Sequence, residues 1–334
     1  MPMTHDVPRF FVSDYQFSDA DRHRVADAVG PERLLIVKER AELRDALSAH
    51  PETDVLCSFF PPGETLSLAP NLRWVALPSA GADGAFRAGL VRPEGTPIVT
   101  TASGVHAVPI SEHIFGVLLL CTHHWPKLLD LQRAQEWPPH DRRSELTVRE
   151  LYGATLGVIG LGAIGRRVAQ LGRAFGMRVV ATRYSAHPGD SDSDVDELLP
   201  AANLRDLLRQ ADFVVIAAPG AEQTRHLIGV DELAVMKPSA FLVNIARGSI
   251  IDEDALIAAL QAGRLAGAGL DVFATEPLPP ESPLWRMPNV IVSPHISGLT
   301  TAYSRRFTDI LLDNLARYRA GQPLRNVVRA ERGY

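Results

Sequence analysis

GVIGLGAIGRRVAQLGRAFGMRVVATR, residues 157–183, decides how the rest of the chain is read. An apolar run over 154–160 ends in glycine, a helical pattern with Val168, Leu171 and Phe175 on its inner side follows, and a β-branched run over 177–183 closes the unit. Gly160, Gly162 and Gly165 form a GxGxxG between that strand and that helix. In this setting Gly160 permits a tight turn, Gly162 lets the backbone approach a pyrophosphate, and Gly165 allows close helix–strand packing. The helix N-terminus adds free N–H groups and a dipole that favours phosphate. A GxGxxG can also be a plain structural turn; the strand before it and the helix after it favour a bound dinucleotide.

Working outward, further strands are expected at 213–219, 240–246, 267–273 and 290–294, with helices or loops between them. Six strands in βα succession make a Rossmann-length parallel set. The stretch SAHPGDSDSDVD, 185–196, reads as an exposed loop, and QEWPPHDRRSEL, 135–146, as a surface connection. Upstream, a long helix is expected to begin around Pro109 and run through SEHIFGVLLLCTHH toward Leu131. The first hundred residues carry a second rhythm of strands, RFFVSD, RLLIVK, DVLCSF, LRWVAL and PIVTTA, with helices near 18–29 and 39–49. That order predicts a small flavodoxin-like α/β domain. After residue 300, Phe307, Ile310, Leu311, Leu315 and Tyr318 fall near one face of a closing helix.

Composition narrows the function classes. A chain of 334 residues suggests two domains, or three, and its net charge of −5 offers no general attraction to nucleic acid. IFGVLLLC, 114–121, falls well short of the ~20 apolar residues that span a bilayer, so no membrane partner is expected. The start, MPMTHDVPRF, lacks the basic and apolar regions of a secretory signal, which makes the cytoplasm the expected location. Cys57 and Cys121 have neither metal-ligand nor redox spacing and read as buried free thiols; no metal is expected.

Three further residues follow strands and so share the edge where doubly wound sheets bind ligands: Arg247 after FLVNIA, Glu276 after GAGLDVF and His295 after VIVS. A guanidinium fixes a carboxylate and polarises a neighbouring carbonyl, a histidine exchanges the proton, and a carboxylate orients that histidine and supports its charged form. Singly, each has an ordinary reading as an ion pair, a solvated loop residue or a turn histidine. Together on one edge, the three complementary groups favour catalysis.

With those residues in place, GLGAIGRRVA, NIARGSIIDEDAL, GAGLDVFATEPLP and SPHISG resemble the NAD(P)-dependent D-2-hydroxyacid dehydrogenases, from about residue 70 to the C-terminus. The resemblance implies Arg247 as the substrate-binding arginine, Glu276 as partner carboxylate and His295 as acid/base. It implies that N–H groups around Ala80, Gly81 and Ala82, in PSAGADGAF, hold the substrate carboxylate; otherwise that stretch is an ordinary glycine turn. Cofactor contacts would come from Gly160, Gly162, Ala163, Ile164, Gly165, Thr182, Arg183, Tyr184, Ser185, Ala218, Pro219, Thr224, Ala246, Asp271 and Ser297. The implied layout is discontinuous: a substrate domain of 1–102 plus 296–334, with the NAD(P)-binding domain, 103–295, inserted at hinges near Ala102 and His295. A homodimer is expected, packed through the cofactor domain and the helix after Pro109.

The implied reaction passes hydride between NADPH or NADH and C2 of a small or medium 2-oxo acid, such as glyoxylate or hydroxypyruvate, and gives a D-configured 2-hydroxy acid. Phosphoglycerate dehydrogenases are disfavoured because no regulatory extension follows the closing helix, and formate dehydrogenases because they pair the histidine with glutamine. Corepressors of the C-terminal-binding-protein type, which share the fold and similar residues, are the alternative from a different class. Phe59, Phe60 and Trp285 either border the pocket or pack in the core. Arg183 stands where NAD-using relatives carry an aspartate for the ribose hydroxyls. Its fork suits a 2′-phosphate, with Thr182 and Ser185 close in sequence, so NADP is the preferred cofactor and NAD the alternative. A contact of ~2 kcal/mol would give roughly a thirtyfold preference. The other reading of Arg183 is an exposed strand-end arginine with NADH bound through its pyrophosphate.

Overall fold

The computed structural model describes residues 8–93 and 95–330; the reading of the extreme N-terminus, residues 1–7, lies outside them. The chain forms two compact units, residues 1–106 with 300–334 and residues 107–299. The joins therefore fall after His106 and Leu299 instead of near Ala102 and His295.

In the first unit, strands β1 (Phe11–Ser13), β2 (Leu34–Ile36), β3 (Val55–Cys57), β4 (Trp74–Ala76) and β5 (Ile98–Thr100) pair in parallel in the order β2-β1-β3-β4-β5. Around them lie α1 (Asp19–Val29), α2 (Leu43–Ala49), α3 (Thr65–Leu68) and α4 (Asp83–Arg87). This is the flavodoxin-like order, and its central strands β1, β3 and β4 are buried along their whole length, Ser13 included, as a parallel sheet covered on both faces requires. Of the closing helix α11 (Tyr303–Arg319), Phe307, Leu311, Leu315 and Tyr318 are buried against Phe11, Val25 and Trp74, while Ile310 is only half-buried. Each such apolar side chain contributes about 1.5–3 kcal/mol. That burial ties residues from the far end of the chain into the first unit.

The second unit holds α5 (Ala107–Thr122), α6 (Trp125–Arg133), α7 (Ala163–Ala174), α8 (Leu204–Gln210), α9 (Val230–Val235) and α10 (Glu253–Gln261). Its seven strands are β6 (Thr155–Ile159), β7 (Arg178–Arg183), β8 (Glu197–Pro200), β9 (Phe213–Ile216), β10 (Phe241–Asn244), β11 (Gly267–Leu270) and β12 (Val290–Val292). They pair in parallel in the order β12-β11-β10-β9-β6-β7-β8, a doubly wound Rossmann sheet with one strand added beyond the usual six. The strand order reverses between β6 and β9.

Four sequence expectations change. The long helix is two: α5 ends at Thr122, His124 takes a left-handed φ of 56°, and α6 starts at Trp125 with Pro126 in its first turn. Proline lacks the N–H that a continuing helix would need there. β8 went unrecognised because an edge strand, paired only with β7, needs no apolar alternation and tolerates Pro200 at its end. The 185–196 loop is not freely exposed: Ala186 and Val195 are buried in the core shared with Val168 and Val179, and its acids fold onto α7. The inner face of α7 is Gly165, Val168, Ala169 and Gly172; Phe175, expected there, is exposed and stacks on Phe115.

Candidate active site

The glycine turn is built for a close approach. Gly160 has φ 98°, and a Cβ there would lie 2.8 Å from the Ala218 backbone, so β6 and β9 can part at the switch point only over a glycine. At Gly165 a Cβ would come within 2.0 Å of the Gly160 carbonyl oxygen, which lets α7 pack directly onto β6. Gly162, by contrast, faces open space and caps α7 without any side-chain hydrogen bond. The N–H groups of Ala163, Ile164 and Gly165, in the first turn of α7, have no intrahelical acceptor. These features fit a dinucleotide pyrophosphate.

His295 and Glu276 meet directly: His295 Nδ1 lies 2.8 Å from Glu276 Oε2, while Glu276 Oε1 accepts the Phe273 N–H at 3.1 Å. A carboxylate can only accept, so facing Glu276 as a carboxylate Nδ1 carries the proton of this contact and Nε2 is left outside it. Arg247 follows β10, exposed, with one guanidinium N–H donated to the Ala246 carbonyl at 2.7 Å. Its loop is packed against that of Glu276, since a Cβ on Gly248 would lie 1.9 Å from the Phe273 carbonyl carbon.

Two buried polar residues hold these loops. Asn244, 1% exposed at the end of β10, accepts the Ala246 N–H at 3.0 Å and donates to the Arg247 carbonyl at 2.9 Å. Asp271, also 1% exposed, accepts from the Ser293 hydroxyl at 2.5 Å and from the N–H groups of Ile296 and Ser297 at 3.0 and 2.9 Å. That clasp encloses His295, whose φ of 54° is left-handed and costs of order 1–3 kcal/mol for a side-chain-bearing residue. Asp271 and Ser297, both expected among the cofactor contacts, are joined here by the hydrogen bond from the Ser297 N–H to Asp271 Oδ2. Ser293 gives its single proton to Asp271, so His113 Nε2, 3.3 Å from the Ser293 oxygen, is the donor of that contact. Asn244, Ser293 and His113 were not singled out from sequence. A polar residue ending an otherwise apolar strand, as Asn244 does, was the available signal.

The other expected residues are placed as follows. Thr182 is buried in β7, with its carbonyl accepting the Gly160 N–H; Tyr184 and Ser185 are exposed. The Thr224 hydroxyl closes its own turn on the carbonyls of Pro219 and Ala221. Arg183 is not a free cation: it donates to Asp192 Oδ2 at 3.1 Å. In the first unit, the loop after β4 carries Ala80, Gly81 and Ala82, whose N–H groups meet no protein acceptor among the described residues, while Ser79 Oγ donates to the Gly81 carbonyl at 2.6 Å. Phe59 packs on Tyr15, Phe60 is exposed beneath Arg40, and Trp285 is exposed with its indole N–H on the Pro279 carbonyl.

A Rossmann sheet with an open glycine cradle and an Arg, Glu and His set along its carboxyl edge defines a nucleotide-dependent oxidoreductase. Residues 115–297 match the model of the D-isomer specific 2-hydroxyacid dehydrogenase NAD binding domain, and the chain belongs to that family of enzymes acting on the CH–OH group of 2-hydroxy acids. It is 36% identical over 279 residues to a glyoxylate reductase from Aeropyrum pernix, covering 80% of this chain and 79% of that one. A D-isomer specific 2-hydroxyacid dehydrogenase family protein from Aeromonas salmonicida superposes with a TM-score of 0.79 at 30% identity, over 96% and 99% of the two chains. One from Xanthobacter autotrophicus, solved with NADPH and MES, gives 0.79 at 27% identity over 98% and 100%.

The clasp around His295 has a pH signature. Burial alone would raise the Asp271 carboxyl, but the hydrogen bonds from Ser293, Ser297 and Ile296 outweigh it and hold the group below its ordinary value. A depressed folded-state pKa stabilises fully above the unfolded value of about 3.9 and is lost as pH falls through the folded one. In Asp271→Asn one donor must face another donor, so urea unfolding near neutral pH should show a loss of about 2 kcal/mol. The gap should narrow as pH falls through the folded-state value, below which the native carboxylate is protonated too. A gap that stays constant across that range would show that the charge does not hold the turn.

Proposed function

We propose that the protein is a D-specific 2-oxo acid reductase that prefers NADPH and takes small or medium substrates of the glyoxylate and hydroxypyruvate kind. The hydrogen-bonded His295–Glu276 pair on the edge shared with Arg247 carries this reading. The dinucleotide, when bound, supplies hydride for reduction and accepts it for oxidation. Arg247 presents its remaining N–H groups to the substrate carboxylate and polarises the C2 carbonyl. His295 Nε2, protonated in the reductive direction, gives its proton to the C2 oxygen while Glu276 holds the ring through Nδ1. In oxidation the neutral Nε2 takes the proton back. The name of the Aeropyrum relative supports glyoxylate as the first substrate to try.

His295→Gln should lower kcat by about a hundredfold or more, the scale of one general acid, while cofactor still binds. Arg247→Lys should be similarly damaging, because an ammonium cannot reproduce the planar fork. Both are read with a panel of glyoxylate, hydroxypyruvate, pyruvate and phenylpyruvate. Near-normal kcat in His295→Gln would remove His295 from its role, and no turnover of any panel member by the unmodified protein would sink the reductase reading.

The NADPH preference rests on Arg183 at the end of β7 and is supported by the NADPH held in the Xanthobacter structure. The roughly thirtyfold preference of an unencumbered charge-assisted contact is a ceiling, since Asp192 already shares the guanidinium. kcat/KM should be higher with NADPH than with NADH, and Arg183→Asp should reverse the order. Equal or better kcat/KM with NADH in the unmodified protein would refute the preference.

We also propose a homodimer through the α5–α6 side of the second unit. α6 has no buried residue, and Trp125, Leu129, Trp137 and Tyr152 are exposed nearby in sequence. Sedimentation velocity should return a dimer that Trp137→Asp weakens; a monomer at micromolar concentration would exclude it.

A further inference from the structure

Arg183 sits in a four-residue ion cluster on the outer side of α7. Asp192, whose side chain is only 9% exposed, receives both arms of the Arg166 fork, at 2.8 Å on Oδ1 and 2.7 Å on Oδ2. The same Oδ2 takes Arg183 Nη1 at 3.1 Å, and Oδ1 also accepts the Asp194 N–H at 3.2 Å. Asp194 completes the set with a 2.9 Å contact to Arg166. Two guanidiniums thus face two carboxylates, and the charge of Arg183 is balanced before any ligand arrives. Its Nε, meanwhile, is buried without a partner. That nitrogen is a donor still to be satisfied, on a cation whose other side is already held by an anion.

We propose that Asp192 is a specificity-determining residue: held rigidly by Arg166, its carboxylate competes for Arg183 with the 2′-phosphate of the dinucleotide and so limits the preference for NADPH. The inference rests on the reading of Arg183 as the 2′-phosphate donor. Two anions on one guanidinium repel each other, and the immobilised one cannot swing away as a solvated side chain would. The neutral 2′-hydroxyl of NAD meets no such repulsion. Burial alone would raise the Asp192 carboxyl, but the Arg166 hydrogen bonds outweigh it and hold the group below its ordinary value, so the competing charge is present near neutral pH. The loop itself survives loss of the Asp192 charge, since Arg166 retains Asp194 and Arg173 holds the Ser193 carbonyl at 2.7 Å.

The test uses 2′,5′-ADP and 5′-AMP as probes in calorimetric titrations of the full chain, so that no turnover is needed. Asp192→Asn should tighten 2′,5′-ADP by about tenfold, a part of the roughly thirtyfold worth of an unencumbered charge-assisted contact, and leave 5′-AMP within about twofold. Asp192→Ser, also uncharged, gives a second reading if the amide variant does not fold, and Asp192→Glu, which keeps the charge, should stay near the unmodified protein. Arg183→Gln is titrated in parallel. If it leaves 2′,5′-ADP binding unchanged, the reading of Arg183 fails and this inference falls with it. If it weakens 2′,5′-ADP while the uncharged Asp192 variants fail to tighten it, or weaken it too, Asp192 does not compete and this inference alone is overturned.

Discussion

Parallel pairing is the constraint on which the rest of the second unit depends. When every strand of a seven-stranded sheet runs the same way, every strand ends on the same edge, and whatever residue follows a strand is delivered there. Gly160 after β6, Arg183 at the end of β7, Ala218 after β9, Arg247 after β10, Asp271 after β11 and His295 after β12 are far apart in sequence and share that edge for this reason alone. The reversal of strand order between β6 and β9 then opens a crevice, and the glycines around it keep side chains out.

An edge made of loops is not by itself a precise site, because loops carry few of their own backbone hydrogen bonds. Here two buried polar side chains do the fixing. Asn244 ties down the loop of Arg247, and Asp271 draws the Ser293, Ile296 and Ser297 donors around His295. A buried carboxylate is costly unless its oxygens are satisfied, and three donors satisfy it. The same bonds hold His295 in a left-handed conformation that a histidine would otherwise leave. The orientation of the exposed His295 ring is thereby set from beneath, by buried groups.

The end of β7 shows that a side chain's type does not settle its availability. Arg183 has the chemistry for a phosphate, yet the structure gives it an internal anion in Asp192, and that anion in turn is gripped by Arg166 from α7. In the proposed reading of Arg183, selectivity for the dinucleotide depends on a balance among three charged groups, one from the strand, one from the helix and one from the connecting loop.

The sequence by itself determined the two α/β units, most strand positions, the glycine cradle and the family, because apolar runs, GxGxxG spacing and the motifs around Arg247, Glu276 and His295 are local and each can be read without its neighbours. It also contained the break between α5 and α6, written in Pro126, although the apolar pattern on either side concealed it. What only the tertiary structure decided is pairing across the fold. That Glu276 reaches His295, that Asp271 gathers the donors of the turn around His295, that His113 touches Ser293 and that Asp192 meets both Arg166 and Arg183 are facts about side chains brought together by the sheet. A charged or polar residue has the same composition and spacing whether its partner is water, a ligand or another residue of the chain, and only the folded packing selects among them.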